Sequence, residues 1–225
     1  MKLIFRGLLA FTCMTFSLAS FAQSGLKTDK EKFSYTVGIQ MASGVKRQGL
    51  DLDIDVMKRA IDDVFSGREP QLTMDEMQQV LGSFQQREME RVKAKANDNK
   101  GAGEAFLAKN RKDKNVSETE DGIQYTIVTA GKGKKPKATD TVVVNYRGTL
   151  INGEEFDSSY KRGQPATFPV NGVIQGWQEI LQLMPAGSKW HVVIPSDLAY
   201  GPQGAGGHIG PNETLIFDIE LLEIK

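Results

Sequence analysis

Cysteine is almost absent from this sequence of 225 residues. Its one cysteine, Cys13, lies in a leader segment that we expect to be removed, as described below. A mature chain without it has no disulfide, no zinc–thiolate site and no cysteine nucleophile. Lipidation of Cys13 is an alternative fate, but Ala10-Phe11-Thr12 is a poor context for it and the apolar run continues beyond the cysteine.

Histidine is also scarce, and neither sign of charge is in excess. His191 and His208 are the only histidines and have no matching set of metal ligands in the sequence, so a metal site is not predicted. Basic and acidic side chains number 28 each, and loss of Lys2 and Arg6 with the leader leaves 28 − 2 = 26 basic against 28 acidic groups. This balance lacks the basic surplus that is typical of nucleic-acid-binding proteins.

Two common catalytic signatures are missing as well. No Gly-x-x-x-x-Gly-Lys-Ser/Thr segment occurs, so a nucleotide-binding phosphate loop is not expected. Ser158 and Ser159 have no histidine near them in the sequence, which leaves a serine nucleophile without support.

The apolar run at the start of the chain is too short and too interrupted for a permanent membrane helix. Lys2 and Arg6 precede it, Leu8–Leu18 is mostly apolar, and Ser20-Phe21-Ala22 has the small-x-small pattern of a cleavage site. The sequence therefore predicts a secretory signal peptide over residues 1–22, cleaved before Gln23.

Short amphipathic helices are predicted over residues 23–72. Thr28-Asp29-Lys30-Glu31 is a capping box that opens a helix closed by Gly49. A second helix is predicted to begin at Asp53 or Asp55 and to end before Gly67. The apolar positions of the first helix recur every four residues: Phe33, Val37, Met41 and Val45.

This helical segment is too small to build much of a core alone. Ser34, Gly38 and Ala42 lie beside the apolar stripe at the same spacing, and small side chains let another helix approach closely. We expect the segment to be a dimerisation domain that pairs with a second copy of the chain. The alternative is that it folds back on the C-terminal half.

Residues 73–116 are predicted to form a long connecting helix. Thr73-Met74-Asp75-Glu76 is a second capping box, and a helix that is polar on most faces often bridges domains. Gly101 and Gly103 each weaken a helix by roughly 1 kcal/mol relative to alanine, so we expect bending or fraying there. An unstructured linker is the alternative.

The pattern changes to strands in residues 117–225. Asn152-Gly153 is a hairpin signal, and one short helix ending at Met184 interrupts the strands. The fold class is therefore α+β, with an all-α first part and a C-terminal antiparallel sheet that covers a helix. The predicted strands are Gly122–Val128, Thr141–Leu150, Ala166–Val170, Ser188–Ile194 and Thr214–Ile224.

Trp177 is the largest side chain in a short segment that precedes this helix, and by itself it is most simply a core residue. Five segments around it follow one another in a specific order: Thr141–Leu150 (TVVVNYRGTL), Gly153–Ser159 (GEEFDSS), Val173–Trp177 (VIQGW), Leu198–Gly201 (LAYG) and Pro211–Leu222 (PNETLIFDIELL). Together they resemble the FKBP-type peptidyl-prolyl cis-trans isomerases, from about Gly122 onward. The leader, the N-terminal helices, Leu181–Ser188 and Gly206–Thr214 resemble the macrophage infectivity potentiator (Mip) branch of exported dimers.

The resemblance implies a twisted antiparallel sheet wrapped on the Gly176–Met184 helix, with a pocket between them and Trp177 as its floor. Asp157 would lie at the edge, where Arg162 can pair with it. Ala166 stands where many members have an aromatic residue, and Ala205 stands where some have a histidine. Both differences open the rim of the pocket and bear on substrate preference and macrolide affinity. The implied lining residues are Tyr146, Phe156, Val173, Ile174, Tyr200, Ile209 and Phe217.

The implied activity is isomerisation of Xaa-Pro bonds in folding proteins, without a cofactor. The Tyr200 hydroxyl and the Ile209 N–H are candidates to hold the substrate carbonyl, and Asp157 either meets the rotating carbonyl or braces the wall. The implied partners are proline-containing unfolded polypeptides, the macrolides FK506 and rapamycin as inhibitors, and a second copy through the N-terminal helices, but no nucleic acid. The implied location is the periplasm of a Gram-negative bacterium, with outer-membrane association or secretion as alternatives. A chaperone activity of the dimeric cleft is the second functional hypothesis.

Overall fold

The computed structural model describes residues 25–225. The predicted signal peptide, residues 1–22, lies outside the described residues. Two compact units are present, one that ends at Leu72 and one that runs from Thr73 to Lys225.

The first unit contains the two predicted helices. Helix α1 (Asp29–Arg47) begins with the capping box, in which the Thr28 side chain accepts from the Glu31 N–H and the Glu31 carboxylate accepts from the Thr28 N–H. Helix α2 (Ile54–Phe65) is capped by Asp53, whose carboxylate accepts the N–H groups of two residues in the first turn. Neither helix contains a buried residue.

Helix α3 (Met74–Asn110) opens the second unit with its own capping box and has 37 residues. At 1.5 Å per residue it is about 56 Å long. The helix is unbroken through Gly101 and Gly103, so the predicted fraying is wrong, and so is the alternative of an unstructured linker. The physical reason lies at Gly103, the one buried residue of α3, which packs on Thr214 and gains tertiary contact that propensity alone does not show.

Seven strands form one antiparallel sheet after α3. The order across the sheet is β1-β2-β6-β7-β3-β4, and β5 pairs with β3 beside β4. The five predicted strands are present within two residues at either end, while two short strands, β1 and β4, were not predicted. The strands are β1 (Ser117–Glu118), β2 (Gln124–Thr129), β3 (Thr141–Leu150), β4 (Glu155–Ser158), β5 (Ala166–Pro169), β6 (Lys189–Ile194) and β7 (Leu215–Ile224).

Helix α4 (Gln175–Leu183) packs against one face of this sheet and completes the core. Its inward face carries Ile180 and Leu181, which are fully buried. Gly176 permits the close approach, because a Cβ atom there would lie 2.4 Å from Cγ2 of Ile194 on β6. The α+β class and the sheet wrapped on a short helix are therefore confirmed. Within residues 25–225, no helix is both long and apolar enough to cross a membrane.

Candidate functional site

A cavity of about 310 Å³ opens between α4 and the sheet. Six structural segments contribute to it, so the fold rather than any local motif assembles the site. All of the predicted site residues except Ile209 line this cavity, and two residues that sequence reasoning missed, Phe168 and Gly172, join them. The lining residues are Tyr146, Phe156, Asp157, Phe168, Gly172, Val173, Ile174, Trp177, Tyr200 and Phe217.

Trp177 is the centre of the aromatic cluster. Its ring centroid lies 5.2 Å from that of Tyr146, 6.0 Å from Phe168 and 5.3 Å from Phe217, each in an edge-to-face arrangement with interplanar angles of 82–89°. Edge-to-face contacts are a favoured geometry of aromatic pairs. Trp177 is 4% exposed, so it is both a core residue and the floor of the cavity. The two interpretations of this residue are thus compatible.

Gly148 on β3 makes room for two of the rings. A Cβ atom at this position would lie 2.6 Å from Cζ of Phe156 and 2.9 Å from Cε1 of Phe217. These distances are below any ordinary carbon contact, so a side chain at Gly148 would displace the aromatic wall. Sequence reasoning missed this residue because a glycine in a strand does not reveal which neighbours approach it.

Phe168 on β5 supplies an aromatic ring to the wall although Ala166 lacks one. The register Val142↔Phe168 and Val144↔Ala166 places both residues on the same side of β5. The period-two alternation of the strand is the signal that could have identified Phe168, since residues 166, 168 and 170 share a face.

Asp157 is the charged residue of the lining, and its carboxylate is already engaged by neighbouring groups. The Tyr146 hydroxyl and the Arg162 guanidinium both donate to it, and Oδ1 also accepts the Ser158 N–H at 2.8 Å. Arg162 Nη2 donates to the Tyr146 hydroxyl at 2.8 Å, and its guanidinium carbon lies 5.3 Å from the Tyr146 ring centroid. The predicted pairing of Arg162 with Asp157 is confirmed. Asp157 therefore braces the wall in this structure.

The ionisation of these groups is displaced away from neutral pH. Burial raises the pKa of the Tyr146 hydroxyl, and its hydrogen bond to Asp157 adds to that shift. Burial also pushes the pKa of Asp157 upward, but the hydrogen bonds from Tyr146 and Arg162 and the charge of Arg162 outweigh it and hold this pKa below its ordinary value. Burial, followed by the charge of Asp157, raises the pKa of Tyr200.

Two donors lie at the rim of the cavity. Tyr200 is 40% exposed, and within residues 25–225 its hydroxyl makes no hydrogen bond, so it is available to a ligand. Ile174 is the N-cap residue of α4, and its carbonyl accepts from Trp177 at 2.9 Å and Gln178 at 3.1 Å. Its own N–H donates to no residue in the described part of the chain. Gln178 Nε2 also donates to the Val173 carbonyl at 2.7 Å and so braces this wall.

The structure differs from the prediction at Ile209. The side chain is 8% exposed and belongs to the core cluster, but it is not part of the cavity lining. Its N–H donates to the Ala205 carbonyl at 3.0 Å, while its carbonyl accepts from the Ala205 N–H at 2.9 Å. This two-residue bridge uses the donor that was predicted for the substrate, and only tertiary geometry reveals it.

The arrangement is suited to binding a compact apolar group rather than to covalent chemistry. The floor and most of the walls are hydrocarbon, and the carboxylate is neutralised by Arg162. Two lining residues, Ile174 and Tyr200, each have a donor without a partner among residues 25–225. Among the described residues, no set of three or more His, Cys, Asp or Glu side chains is placed to hold a metal ion.

Comparison with known proteins extends this description. Residues 132–222 match the sequence model of the family described as "FKBP-type peptidyl-prolyl cis-trans isomerase". Residues 30–127 match a second model, described as "Domain amino terminal to FKBP-type peptidyl-prolyl isomerase". The two matches together span both compact units.

Similar proteins cover nearly the whole chain. The "Outer membrane protein MIP" of Legionella longbeachae is 47% identical over 229 residues, which cover 100% of this chain and 98% of that protein. The "Peptidyl-prolyl cis-trans isomerase Mip" of Coxiella burnetii is 41% identical over 91% of this chain and 90% of its own length. The crystal structure of FkpA from Escherichia coli is 41% identical, with a TM-score of 0.64, and the match covers 89% of this chain and 98% of that one.

Proposed function

Because the chain belongs to the FKBP-type peptidyl-prolyl cis-trans isomerases and is an isomerase of the Mip and FkpA type, we propose that catalysis occurs in the aromatic cavity around Trp177. The proline ring of the substrate binds on the indole, and the Xaa-Pro amide rotates at the rim. The observation that carries this proposal is a cavity of about 310 Å³ whose lining is mostly aromatic and whose carboxylate is already paired.

The chemistry follows from the amide bond. Rotation has a barrier of about 18–20 kcal/mol because resonance gives the C–N bond partial double-bond character. The planar amide is charge-separated and stabilised by water, whereas the twisted amide has lost that separation. An apolar cavity therefore disfavours the planar amide relative to the twisted transition state.

Binding energy alone does not supply the acceleration. Burial of three ring methylenes contributes roughly 2.4 kcal/mol, at ~0.8 kcal/mol each. A rate gain of about 10⁴-fold requires roughly 5.4 kcal/mol that is present only in the transition state. The Ile174 N–H and the Tyr200 hydroxyl hold the substrate carbonyl in the rotating geometry, and Asp157 keeps Tyr146 and Arg162 in place around it.

The test compares the two tryptophans of the chain. Trp177 and Trp190 are each 4% exposed and each have an indole N–H that is buried without a partner in the described part of the chain, but only Trp177 lines the cavity. We expect Trp177→Leu to lower kcat/KM for a proline peptide by about 10-fold or more, because ring contact worth more than 1.4 kcal/mol is lost. FK506 and rapamycin should inhibit the unsubstituted chain.

Trp190→Leu is the matched control. Trp190 stacks on Tyr125 with ring centroids 4.6 Å apart, outside the cavity lining, so its loss should lower stability but not the activity of the folded fraction. Equal activity of the folded Trp177→Leu variant and the unsubstituted chain would contradict the proposed site.

The first unit supports a homodimer. In α1, Phe33 is 71% exposed, and no residue of α1 or α2 is buried within the chain, so this unit has apolar surface for a partner to cover. Gly38 gives a sharp test, because a Cβ atom at this position meets nothing within 4 Å in the single chain. Gly38 lies on the row of small residues beside the apolar stripe, whereas Ser43 is exposed and lies on the opposite face of α1.

Gly38→Leu should therefore weaken self-association, since it blocks close approach of a second helix, whereas Ser43→Leu should leave it unchanged. Analytical ultracentrifugation over a range of concentrations measures both. A monomeric unsubstituted chain, or identical dissociation constants for the two variants, would refute this interface.

Exposed apolar residues on the helices also favour a chaperone activity, as the second candidate function. Val64 and Phe65 are 72% and 89% exposed at the end of α2. The chain should suppress aggregation of a proline-free client, and Trp177→Leu should retain that activity while it loses isomerisation. Loss of both activities in that variant would argue against separate functions.

Export is the remaining part of the proposal. The predicted leader and the printed name of the Legionella longbeachae relative, an outer membrane protein, both support a location beyond the inner membrane. Mass spectrometry of the protein recovered from the periplasmic fraction should give an N-terminus at Gln23. A cytoplasmic protein that retains residues 1–22 would contradict export.

A further inference from the structure

Helix α3 is fastened to the loop of residues 201–214, which follows the cavity residue Tyr200 in the chain. Asn99 Nδ2 donates to the Pro211 carbonyl at 2.8 Å, and Asn212 Nδ2 donates in the opposite direction to the Ala96 carbonyl at 3.3 Å. Both bonds are partly buried and join residues more than a hundred positions apart in sequence. The pair therefore fixes the helix and the loop at one place from both sides.

Packing at the same contact leaves little freedom. A Cβ atom on Gly210 would lie 3.1 Å from Asn99 Nδ2 and 3.3 Å from Cε of Lys95. One helical turn further along α3, a Cβ atom on Gly103 would lie 2.2 Å from Oγ1 of the buried Thr214. The helix backbone thus lies directly on the segment that leads into β7.

One hydrogen bond connects the segment held by α3, Pro211-Asn212, to the residue that follows Tyr200 of the cavity lining. The Asn212 N–H donates to the Gly201 carbonyl at 2.8 Å, and Gly201 follows Tyr200 in the chain. Asn212 has a φ of 55°, a left-handed conformation that an asparagine tolerates when its surroundings hold it. Tyr200 itself is 40% exposed and lies between two short 3-10 turns, so its backbone anchor matters for where its hydroxyl is placed.

We infer that Asn99 is a positioning residue for the isomerase cavity, which acts through Pro211, Asn212 and Gly201 on the placement of Tyr200. The inference rests on the proposed function, because Tyr200 matters only if the cavity is the reaction site. It gives the connecting helix a role in the reaction in addition to joining the two units. Removal of the Asn99 amide donor frees the loop, and the Tyr200 hydroxyl then spends less time where it meets the substrate carbonyl.

The experiment uses one substitution at two asparagines of the same helix in the full chain. Asn99→Asp removes the donor and places a carboxylate against the Pro211 carbonyl. Asn97→Asp makes the same change of charge at an exposed position two residues earlier. We expect Asn99→Asp to lower kcat/KM about 3- to 10-fold, in proportion to one hydrogen bond, and Asn97→Asp to leave it unchanged.

A double variant, Asn99→Asp with Tyr200→Ala, distinguishes an effect on the placement of Tyr200 from a general loss of structure. In a Tyr200→Ala background the effect of Asn99→Asp on kcat/KM should largely disappear, because Asn99 acts on the reaction through the position of the Tyr200 hydroxyl. Amide hydrogen exchange provides a readout besides activity: the Asn212 N–H, which donates to Gly201, should exchange faster in Asn99→Asp and not in Asn97→Asp.

The outcomes are distinct. Unchanged kcat/KM in Asn99→Asp, or a loss that persists undiminished in the Tyr200→Ala background, would overturn the inference, as would unchanged exchange at Asn212. Failure of the proposed function shows itself elsewhere, as full activity of Trp177→Leu in the same assay.

Discussion

No residue of α1 or α2 is buried within the chain, whereas Ile180, Leu181 and Leu215 of the sheet unit are fully shielded from solvent. Phe65, in the first unit, is 89% exposed. The sheet unit can form its core by itself because strands and α4 enclose apolar residues that are distant in sequence. The first unit has apolar side chains of similar size but no layer of its own to cover them. One unit is therefore complete as a single chain, and the other depends on a partner in the proposed dimer.

The largest expected effect tests this contrast with one substitution made in each unit. Ile180→Ala should lower the free energy of unfolding of the sheet unit by about 2–5 kcal/mol, because it leaves a cavity under α4. Ile61→Ala in α2 removes a side chain that is 40% exposed in the single chain. Its direct cost is small, and its main effect should be a larger dissociation constant of the dimer.

Urea unfolding at several protein concentrations distinguishes the two effects. Tryptophan fluorescence follows the sheet unit, since both tryptophans lie there, and its midpoint should not depend on concentration. Helical circular dichroism, which includes α1 and α2, should show a component whose midpoint rises with concentration. If both signals are independent of concentration, the contrast between a complete unit and a dependent unit is wrong.

Helix α3 contains both a packed and an unpacked position, Gly103 and Gly101. Substitutions at these two glycines should change the stability of the sheet unit by an intermediate amount. At Gly103 an added Cβ atom would lie 2.2 Å from Thr214 Oγ1 and 3.1 Å from Thr214 Cβ, whereas at Gly101 it would meet nothing within 4 Å. Gly103→Ala should destabilise the sheet unit by about 1–3 kcal/mol through overpacking. Gly101→Ala should stabilise it by up to about 1 kcal/mol, because alanine is the better helix former.

Thermal unfolding followed by tryptophan fluorescence measures both glycine variants. Opposite shifts of the transition temperature are expected from the same chemical change two residues apart. Stabilisation by both substitutions would show that the end of α3 is not packed on Thr214 in solution, and the inference on Asn99 would lose its structural basis.

The elements that could be predicted from sequence are those whose causes are local. Thr28 and Thr73 open their helices through bonds to residues three positions on, so the pattern contains the whole interaction. The boundaries of β3 agree with the prediction for the same reason, since a run of β-branched residues ends at a hairpin signal. The aromatic set of the cavity came from a resemblance, because periodicity cannot show that residues from separate strands converge.

The parts that could not be predicted depend on contacts between distant residues. Gly103 resembles any weak point in a helix until Thr214 is seen against it, and Ile209 resembles a free donor until its bond to Ala205 is seen. Alternation places Phe168 on the same face of β5 as Ala166, but that this face lines the cavity depends on the register in which β5 pairs with β3. In each case the sequence shows the residue but not the distant residue or strand that it contacts.

Charged groups give the smallest expected effect. In the first unit the Lys58–Asp55 pair is exposed on both sides, with 70% and 88% of the side chains accessible, and salt screens such pairs.

Around the cavity, the pKa of Asp157 is lowered and those of Tyr146 and Tyr200 are raised. We therefore expect kcat/KM of the isomerase to stay constant from about pH 5 to about pH 9, between the ordinary pKa values of carboxyl and phenol groups.

The sign of each pKa shift shows that the stability contributions of these groups are lost only outside this pH range. Because the folded-state pKa of Asp157 is depressed, its contribution to stability is present above the unfolded pKa of about 3.9 and is lost as the pH falls through the folded value. The tyrosine contributions are present below about pH 10 and are lost as the pH rises through the raised values. Isomerisation measured by NMR exchange across this range provides the check. A profile with a midpoint near neutral pH would mean that a titrating group takes part in the reaction, and the neutralised, apolar cavity would no longer account for the rate.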